Sequence, residues 1–370
     1  MKYEFVNDLK GYVRNITIFA MVSLVGGASA LIAPAQTLSN ATADKISVNA
    51  EGVVHVPAQD VPVSRFLSPE GKKYMADHLK AMASPGQYQK DAAGYLERQR
   101  ILYPVNLEDT KVGDVHAYVY TPKDGISSKN KNRVLINLHG GGFSGCWPSC
   151  AELESIPISG LGKIRVVSVD YRQGPKYKHP AASEDVASVY RELLKTYHPQ
   201  NIGIFGCSAG GMLTAMSVAW FQKKNLPQPG AVGIFCAGAG SPEGAGFGGD
   251  ASYMSTQLGE LRMPSSGPGQ DRGRGPGYLD GTEPDDPLVS PIISPEVLAK
   301  FPPTLLVTGT RGMELSSALY THIQLLKAGV DARIAVWEGL FHGFFYNPDV
   351  PESRDCYDII VRYFDRQLGK

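Results

Sequence analysis

The stretch Ile202-Gly-Ile-Phe-Gly-Cys-Ser-Ala-Gly210 joins an apolar run to a segment rich in Ala and Met. The apolar run predicts a buried strand, and Ala209–Lys224 predicts a helix. A serine on a sharp strand-to-helix turn projects its hydroxyl, and glycines two residues on either side relieve the crowding of that turn. The Ala209 N–H, at the helix N-terminus, then faces a developing oxyanion. This context predicts Ser208 as a nucleophile.

Apolar runs and helix-length segments alternate along most of the chain. Nearly wholly apolar strands that alternate with helices predict a mainly parallel sheet covered on both faces, which is an α/β architecture. The predicted strands are Val115–Tyr120, Val134–Leu138, Val166–Val169, Ile202–Phe205, Val232–Phe235, Leu305–Val307 and Ile334–Trp337. The predicted helices are Ser183–Tyr197, Ala209–Lys224 and Ser316–Ala328, preceded by two helices within Leu67–Arg100 that Pro85-Gly86 separates.

Three consecutive glycines follow the strand Val134–Leu138, in His139-Gly-Gly-Gly142. Without Cβ atoms, their backbone N–H groups can approach a substrate oxygen closely. We expect the N–H groups of Gly141 and Gly142 to complete an oxyanion hole with Ala209. His139 stands at the strand end before the loop, so we expect it to orient the loop and not to act as the base.

The predicted general base is His342, in Glu338-Gly-Leu-Phe-His-Gly-Phe344, just past the last predicted strand. The order of oxyanion loop, serine and then histidine along the chain favours this assignment. The other histidines lack such a placement, and most of them are interpreted as surface or structural residues: His55, His78, His116, His179, His198 and His322.

Four motifs in this order carry a family resemblance: His139–Gly142, Val169–Arg172 with the downstream His179–Ala182, Gly206–Gly210 and Gly339–Phe344. From about Val115 to its C-terminus, the chain resembles the hormone-sensitive-lipase-like α/β-hydrolase esterases, also called bacterial family IV esterases. The resemblance implies an α/β-hydrolase fold, with a mostly parallel central sheet flanked by helices and an N-terminal helical cap. It also implies a carboxylester hydrolase with a metal-free triad and no cofactor.

The sequence departs from the family pattern at two positions. Many members have an acidic residue just before the nucleophile, where this chain has Cys207. The family supplies its catalytic Asp at the position of Gly312, and glycine cannot orient an imidazole. Glu314, two residues further on the same loop, is the predicted substitute because its side chain is one methylene longer than that of Asp. Weaker candidates for the acid are Asp285, Asp286 and Glu338.

The first 35 residues have the layout of a secretory signal peptide. Basic residues precede an uncharged apolar run, Ile16–Ala33, and two small-x-small sites end at Ala30 and Ala35. We expect cleavage there and a secreted or periplasmic protein, the alternative being an uncleaved membrane anchor. Residues 36–110 are then predicted to form a flexible leader and the helical cap, and residues 111–370 the catalytic domain. Within that domain, residues 241–287 are predicted to form a lid-like insertion.

Charge and cysteine content limit the classes of partner. Lys+Arg and Asp+Glu both number 36, so the neutral chain offers no field for nucleic acid. We expect neither a nucleic-acid partner nor stable membrane insertion after signal cleavage. Export would permit disulfides among the five cysteines. Cys146 and Cys150 are spaced to close a small loop, whereas Cys207 and Cys236 fit core positions; no metal site is expected.

These features together predict a serine hydrolase, and the family resemblance implies that it is a carboxylesterase acting on small-molecule, short-acyl esters. The reaction is two-step acyl transfer to water through Ser208 and His342. A lactone hydrolase would use the same residues. A catalytically impaired ligand-binding protein of the same fold is the alternative from another class, since the expected Asp is missing at Gly312.

Overall fold

The computed structural model describes residues 45–82, 87–241, 249–258 and 277–370. The predicted signal peptide, residues 1–35, lies outside these ranges, as do Pro85-Gly86 and residues 242–248 and 259–276 of the predicted lid. In the part of the chain that is described, no helix has both the length and the apolar character needed to span a membrane.

Ten strands are present in the described residues: β1 (Ser47–Val48), β2 (Val54–His55), β3 (Val105–Val112), β4 (Val115–Pro122), β5 (Val134–Leu138), β6 (Arg165–Val169), β7 (Ile202–Cys207), β8 (Ala231–Phe235), β9 (Thr304–Gly309) and β10 (Ala332–Trp337). The described α-helices are α1 (Pro69–Met82), α2 (Gln87–Leu102), α3 (Ser149–Gly162), α4 (Ala181–Leu193), α5 (Ala209–Lys223), α6 (Asp250–Gln257), α7 (Pro295–Leu298), α8 (Leu315–Lys327) and α9 (Pro351–Gln367).

Two compact units divide the chain, residues 1–60 and 61–370. In the first unit, β1 and β2 form an antiparallel two-stranded ribbon. Asn49 closes its turn, because the side-chain Oδ1 accepts hydrogen bonds from the N–H groups of Glu51 and Val53.

The second unit contains an eight-stranded sheet in the order β10-β9-β8-β7-β5-β6-β4-β3. The six strands from β10 to β6 are parallel, while β4 pairs antiparallel with both β6 and β3. The predicted fold class is therefore confirmed, and each of the seven predicted strands is present. Chain order reverses at β5, which lies between β6 and β7, and such a switch point forms a crevice at the carboxyl ends of the strands.

Buried residues form two clusters, one on each face of the sheet. Successive side chains of a strand point to opposite faces, so Ile136 packs in one cluster with Leu213 of α5, and Leu135 packs in the other with Phe364 of α9. Strands buried on both faces must be continuously apolar, which explains the pattern of β5, β7, β8 and β9.

The edge strand β3 was not predicted. It pairs with β4 along its whole length and crosses the predicted boundary between residues 110 and 111, so the sheet begins at Val105. Helices α3 and α9 also went unpredicted, and α3 contains Pro157. The segment Leu67–Arg100 does form two helices, α1 and α2.

Candidate active site

Ser208 occupies the turn between β7 and α5 with φ 58° and ψ −123°, a conformation that side chains rarely adopt. The two flanking glycines are required by packing against the end of β5. A Cβ at Gly206 would lie 2.2 Å from the Leu138 carbonyl oxygen, and a Cβ at Gly210 would lie 1.7 Å from it. The helix can therefore approach the strand closely only with glycine at both positions, and this approach fixes the turn that carries Ser208.

The triple-glycine loop lies beside Ser208 because β5 and β7 are neighbouring parallel strands, with Leu138 paired to Gly206. A Cβ at Gly140 would lie 3.5 Å from the Ser208 Cβ. Gly141 and Gly142 have φ values of 118° and 64°, which favour glycine. The structure thus places Gly140 next to the serine turn, where Ala209 begins α5, and Gly141 and Gly142, the predicted oxyanion-hole glycines, follow it in the same loop.

His139 is buried behind this loop. Its Nδ1 lies 2.7 Å from the Gly140 carbonyl oxygen, and its ring stacks on Tyr171 with centroids 4.5 Å apart. The Tyr171 hydroxyl donates to the His139 carbonyl oxygen at 2.6 Å. Burial lowers the pKa of His139 to about 4. A neutral, stacked imidazole of this kind supports the loop and is poorly suited to proton transfer near neutral pH.

His342 and Glu314 are hydrogen-bonded, with Nδ1 of His342 2.9 Å from Oε2 of Glu314. The other carboxylate oxygen, Oε1, accepts from the Thr308 hydroxyl at 2.7 Å. Burial alone would raise the pKa of Glu314, but the charge of His342 and the hydrogen bonds from His342 and Thr308 outweigh it and lower the pKa. Glu314 is therefore ionised at neutral pH and fixes the orientation of the imidazole.

The loops that carry these two residues are tied together. The Arg311 N–H donates to the Leu340 carbonyl oxygen at 2.9 Å, and the Gly339 N–H donates to the Thr310 hydroxyl at 2.7 Å. Neighbouring parallel strands β9 and β10 deliver both loops to the same edge of the sheet. Hydrogen bonds from backbone N–H groups therefore hold together the two loops that carry Glu314 and His342.

The other candidate acids lie elsewhere. Asp285 and Glu338 are exposed. Asp286 accepts from the Leu288 N–H at 2.9 Å within its own turn. Of the four carboxylates that the sequence offers, Glu314 is the one that the structure brings to His342.

The end of β8 joins the serine turn to the histidine loop. The Ser208 N–H donates to the Phe235 carbonyl oxygen at 2.8 Å, and the Gly343 N–H donates to Cys236 Sγ at 3.3 Å. Ser208 and His342 therefore both lie at the carboxyl edge of the sheet, on segments anchored to consecutive residues.

Cys236, Glu314 and His342 form the one group of metal-ligating type found among the described residues, with ligand atoms within 4.8 Å of one another. Burial raises the pKa of Cys236 well above its usual range, so the thiol keeps its proton. A metal ligand must be a thiolate, and His342 Nδ1 already pairs with Glu314. Within this group, the contact that the structure shows is the hydrogen bond between His342 and Glu314.

The sequence matches the family model described as alpha/beta hydrolase fold over residues 135–346, more than half of the chain. This chain belongs to the α/β-hydrolase family. The matched region begins within β5 and ends four residues past His342, so it includes the serine turn, the triple-glycine loop and the Glu314 loop.

Several named relatives of this α/β-hydrolase are esterases. The chain is 29% identical over 228 residues to the carboxylesterase/phospholipase LipF of Mycobacterium tuberculosis, covering 60% of this chain and 58% of LipF. Its structure is similar to that of esterase E25, with TM-score 0.71, 25% identity and coverage of 85% and 98%. It is also similar to that of an esterase from the bacterial hormone-sensitive lipase family, with TM-score 0.66, 24% identity and coverage of 82% and 99%. The resemblance predicted from the four motifs is confirmed, although the chain matches less than two thirds of LipF.

A pocket that is partly open to solvent lies between the cap helices and the histidine loop of this hydrolase. Helices α1 and α2 contribute Tyr74, His78 and Tyr95, and the loop contributes Phe341 and His342. The pocket wall is therefore largely aromatic, with the predicted base on one side.

Sequence analysis missed the position of His78. Its ring stacks on Phe341, with centroids 3.4 Å apart, and burial together with the nearby His342 lowers its pKa to about 4. His78 therefore presents a neutral ring to the pocket. A lone histidine on a cap helix gives no signal of this kind, because the contact depends on how the cap packs.

A second residue that sequence analysis missed is Glu154 of α3, a buried carboxylate bonded to the backbone of both the serine turn and the triple-glycine loop. Helix α3 begins next to a disulfide between Cys146 and Cys150, the pair that the sequence left open. Cys207 and Cys236 are buried free thiols, as their interpretation as core residues predicted.

Proposed function

We propose that this protein is a serine carboxylesterase that hydrolyses short-acyl esters. The observation that carries the proposal is the Glu314–His342 hydrogen bond at 2.9 Å, on loops delivered to the same sheet edge as the Ser208 turn. A chain that had become only a ligand-binding protein would have no need of a buried, ionised carboxylate aimed at that imidazole.

The reaction proceeds in two steps, acylation and deacylation, and His342 accepts and returns a proton in each. The Ser208 hydroxyl oxygen attacks the ester carbonyl carbon while His342 takes its proton, and the alcohol then leaves with that proton. Water next attacks the acyl-serine, giving its proton to His342, and the carboxylic acid leaves as Ser208 regains its hydrogen. The N–H groups of Gly141, Gly142 and Ala209 stabilise the oxyanion of both tetrahedral intermediates.

Glu314 acts through His342. Because its pKa is lowered, its carboxylate is charged when His342 becomes an imidazolium, and the two opposite charges attract. The hydrogen bond also selects the tautomer that leaves Nε2 of His342 free of its proton, ready to accept one from Ser208.

The pocket and the relatives support the choice of substrate. Aromatic walls from Tyr74, Tyr95 and Phe341 suit an apolar ester. LipF, LipR and LipU of Mycobacterium tuberculosis carry the names carboxylesterase/phospholipase, putative acetyl-hydrolase and esterase.

The test is hydrolysis of p-nitrophenyl acetate, butyrate, octanoate and palmitate by the wild type and by Ser208→Ala. We expect kcat/KM to be highest for acetate or butyrate, and Ser208→Ala to lose on the order of 10⁶-fold in kcat. Turnover confined to a panel of lactones would favour a lactone hydrolase instead. Ser208→Ala activity within tenfold of the wild type would overturn the assignment.

We also propose that the protein is exported and is secreted or periplasmic. Its support is the basic, apolar and small-residue layout of residues 1–35, together with the Cys146–Cys150 disulfide, which persists in oxidising compartments.

A further inference from the structure

Glu154 is a charged residue placed where burial is most costly. It is 3% exposed and belongs to α3, whose neighbouring positions Leu153, Ile156 and Ile158 pack in the core. A buried carboxylate is destabilising unless several donors satisfy it. An apolar residue at this position would avoid that cost, so the carboxylate requires an explanation beyond packing.

Four donors surround this carboxylate. Oε1 accepts from the Gly140 N–H at 2.9 Å and from the Tyr346 hydroxyl at 3.0 Å. Oε2 accepts from Asn137 Nδ2 at 2.9 Å and from the Cys207 N–H at 3.3 Å. A carboxylate can accept all four hydrogen bonds, and a protonated acid can keep them by donating to the Tyr346 hydroxyl, whereas the NH₂ group of an amide would face an N–H donor.

These donors come from all three catalytic segments. Gly140 opens the triple-glycine loop, Cys207 precedes Ser208, and Tyr346 ends the short 3₁₀ helix, Phe344–Tyr346, that follows His342. A single side chain therefore bonds to the loop of the oxyanion hole, the nucleophile turn and the segment after the base.

We propose that Glu154 is a positioning residue, whose carboxylate sets the distance between the oxyanion-hole loop and the Ser208 turn. The inference rests on the proposed esterase function. Glu154 contacts backbone N–H groups one residue before Gly141 and one before Ser208, so it acts on the reaction through them. A misplacement of about 1 Å at either segment is enough to cost on the order of 10²-fold in rate.

The test compares Glu154→Gln with the wild type, with Ser208→Ala and with the matched control Glu152→Gln. Glu152 lies on the same helix, is also buried, and pairs with Arg100 at 2.5 Å instead of with the active-site loops. The folded, reactive fraction of each protein with Ser208 is counted by stoichiometric fluorophosphonate labelling, so that kcat refers to competent enzyme.

We expect Glu154→Gln to lose tenfold or more in kcat for p-nitrophenyl butyrate with KM within about threefold, and Glu152→Gln to keep kcat within twofold. A purely structural role would lower the competent fraction and leave its kcat unchanged, and that result would overturn the inference while Ser208→Ala stays inactive. Wild-type rates in Ser208→Ala would instead overturn the proposed function, and this inference with it.

If Glu154→Gln does not fold, the variant Tyr346→Phe tests the positioning role of Glu154 instead. This change keeps the ring and removes the hydroxyl that donates to Glu154 Oε1. We expect kcat to fall threefold or more with KM unchanged, and an unchanged kcat would overturn the inference.

Discussion

The carboxylate of Glu314 fills the space that a side chain at Gly312 would need. A Cβ built at Gly312 would lie 2.6 Å from Oε1 of Glu314 and 3.0 Å from its Cδ. The family resemblance assigns the triad acid to the position of Gly312, and in this chain a longer side chain two residues later brings its carboxylate back over that position. Gly312 and Glu314 therefore depend on each other. A larger residue at position 312 would collide with the Glu314 carboxylate, and a smaller residue at position 314 would leave the space beside Gly312 empty.

The first prediction concerns the charge of Glu314. Glu314→Gln keeps the size of the side chain but removes the negative charge that stabilises the His342 imidazolium, and it replaces one of the two oxygen acceptors by an N–H donor. We expect at least a 10²-fold lower kcat. Steady-state kinetics on p-nitrophenyl butyrate measures it, with the exposed Glu338→Gln as the matched control. An unchanged kcat in Glu314→Gln would remove Glu314 from the triad.

The second prediction is that an Asp at position 312 can replace the carboxylate of Glu314. Gly312→Asp alone places a carboxylate against that of Glu314, so we expect lower stability and lower kcat. In Gly312→Asp/Glu314→Ala the collision is relieved, and kcat should exceed that of Glu314→Ala alone by tenfold or more. Equal kcat values for the double variant and Glu314→Ala would show that the two positions are not interchangeable.

The sheet was predictable because its central strands are buried on both faces and therefore continuously apolar. Strand β3 (Val105–Val112) was not, because an edge strand is held by pairing with β4 and carries Glu108, Asp109 and Lys111. Helix α3 was missed since Pro157 interrupts its pattern, although its surroundings accommodate it.

Within the candidate site, chain order and local turns led to the predictions for Ser208, Gly141, Gly142 and His342, since each depends on residues close in sequence, and their catalytic roles stay predictions. Glu314 could be predicted because it lies two residues after Gly312 in the sequence. Neither Glu154 nor His78 could be found from the sequence, because their contacts join residues 14 to 263 positions apart. An acidic residue within an apolar helix just after the glycine loop was the one available signal for Glu154.

The buried Glu154 should shape the pH dependence of stability. Burial raises its pKa to about 7, while the pKa of an unfolded Glu is about 4.3. Between these values the native state holds a proton that the unfolded chain has released, so this group lowers the free energy of unfolding as pH rises through the window. The other titratable groups facing it are Tyr171, Tyr346 and Cys207.

Urea unfolding at pH 5, 6, 7 and 8 measures this effect. His78 and His139, whose pKa values are lowered to about 4, make stability rise with pH over part of this window in all three proteins. We therefore expect the stability of Glu154→Gln to rise more steeply with pH, or to fall less steeply, than that of the wild type and of Glu152→Gln. Glu314, whose pKa is lowered, contributes stability that is lost at more acidic pH, as the pH falls through its folded pKa, so it does not mask the window. Identical slopes in all three proteins would contradict a raised pKa for Glu154.

The proposed export of the protein can be tested by locating the protein and sequencing its N-terminus. Expressed in a bacterium with an outer membrane, the protein should appear in the periplasm or medium without roughly its first 30 to 35 residues. N-terminal sequencing of that form should find a start after Ala30 or Ala35, and thiol counting under denaturing conditions should find Cys146 and Cys150 oxidised. An intact Met1 on a soluble cytoplasmic product would contradict export.

The most direct test of the central claim is to find which residue a fluorophosphonate modifies. The account predicts one adduct per chain on the peptide that contains Ser208, located by mass spectrometry, and no adduct on that peptide in Ser208→Ala. Labelling should be slowed in Glu314→Gln, since the serine is then poorly activated. No labelling of the folded wild type, or an adduct at another residue with Ser208 unmodified, would contradict the assignment of Ser208 as the nucleophile.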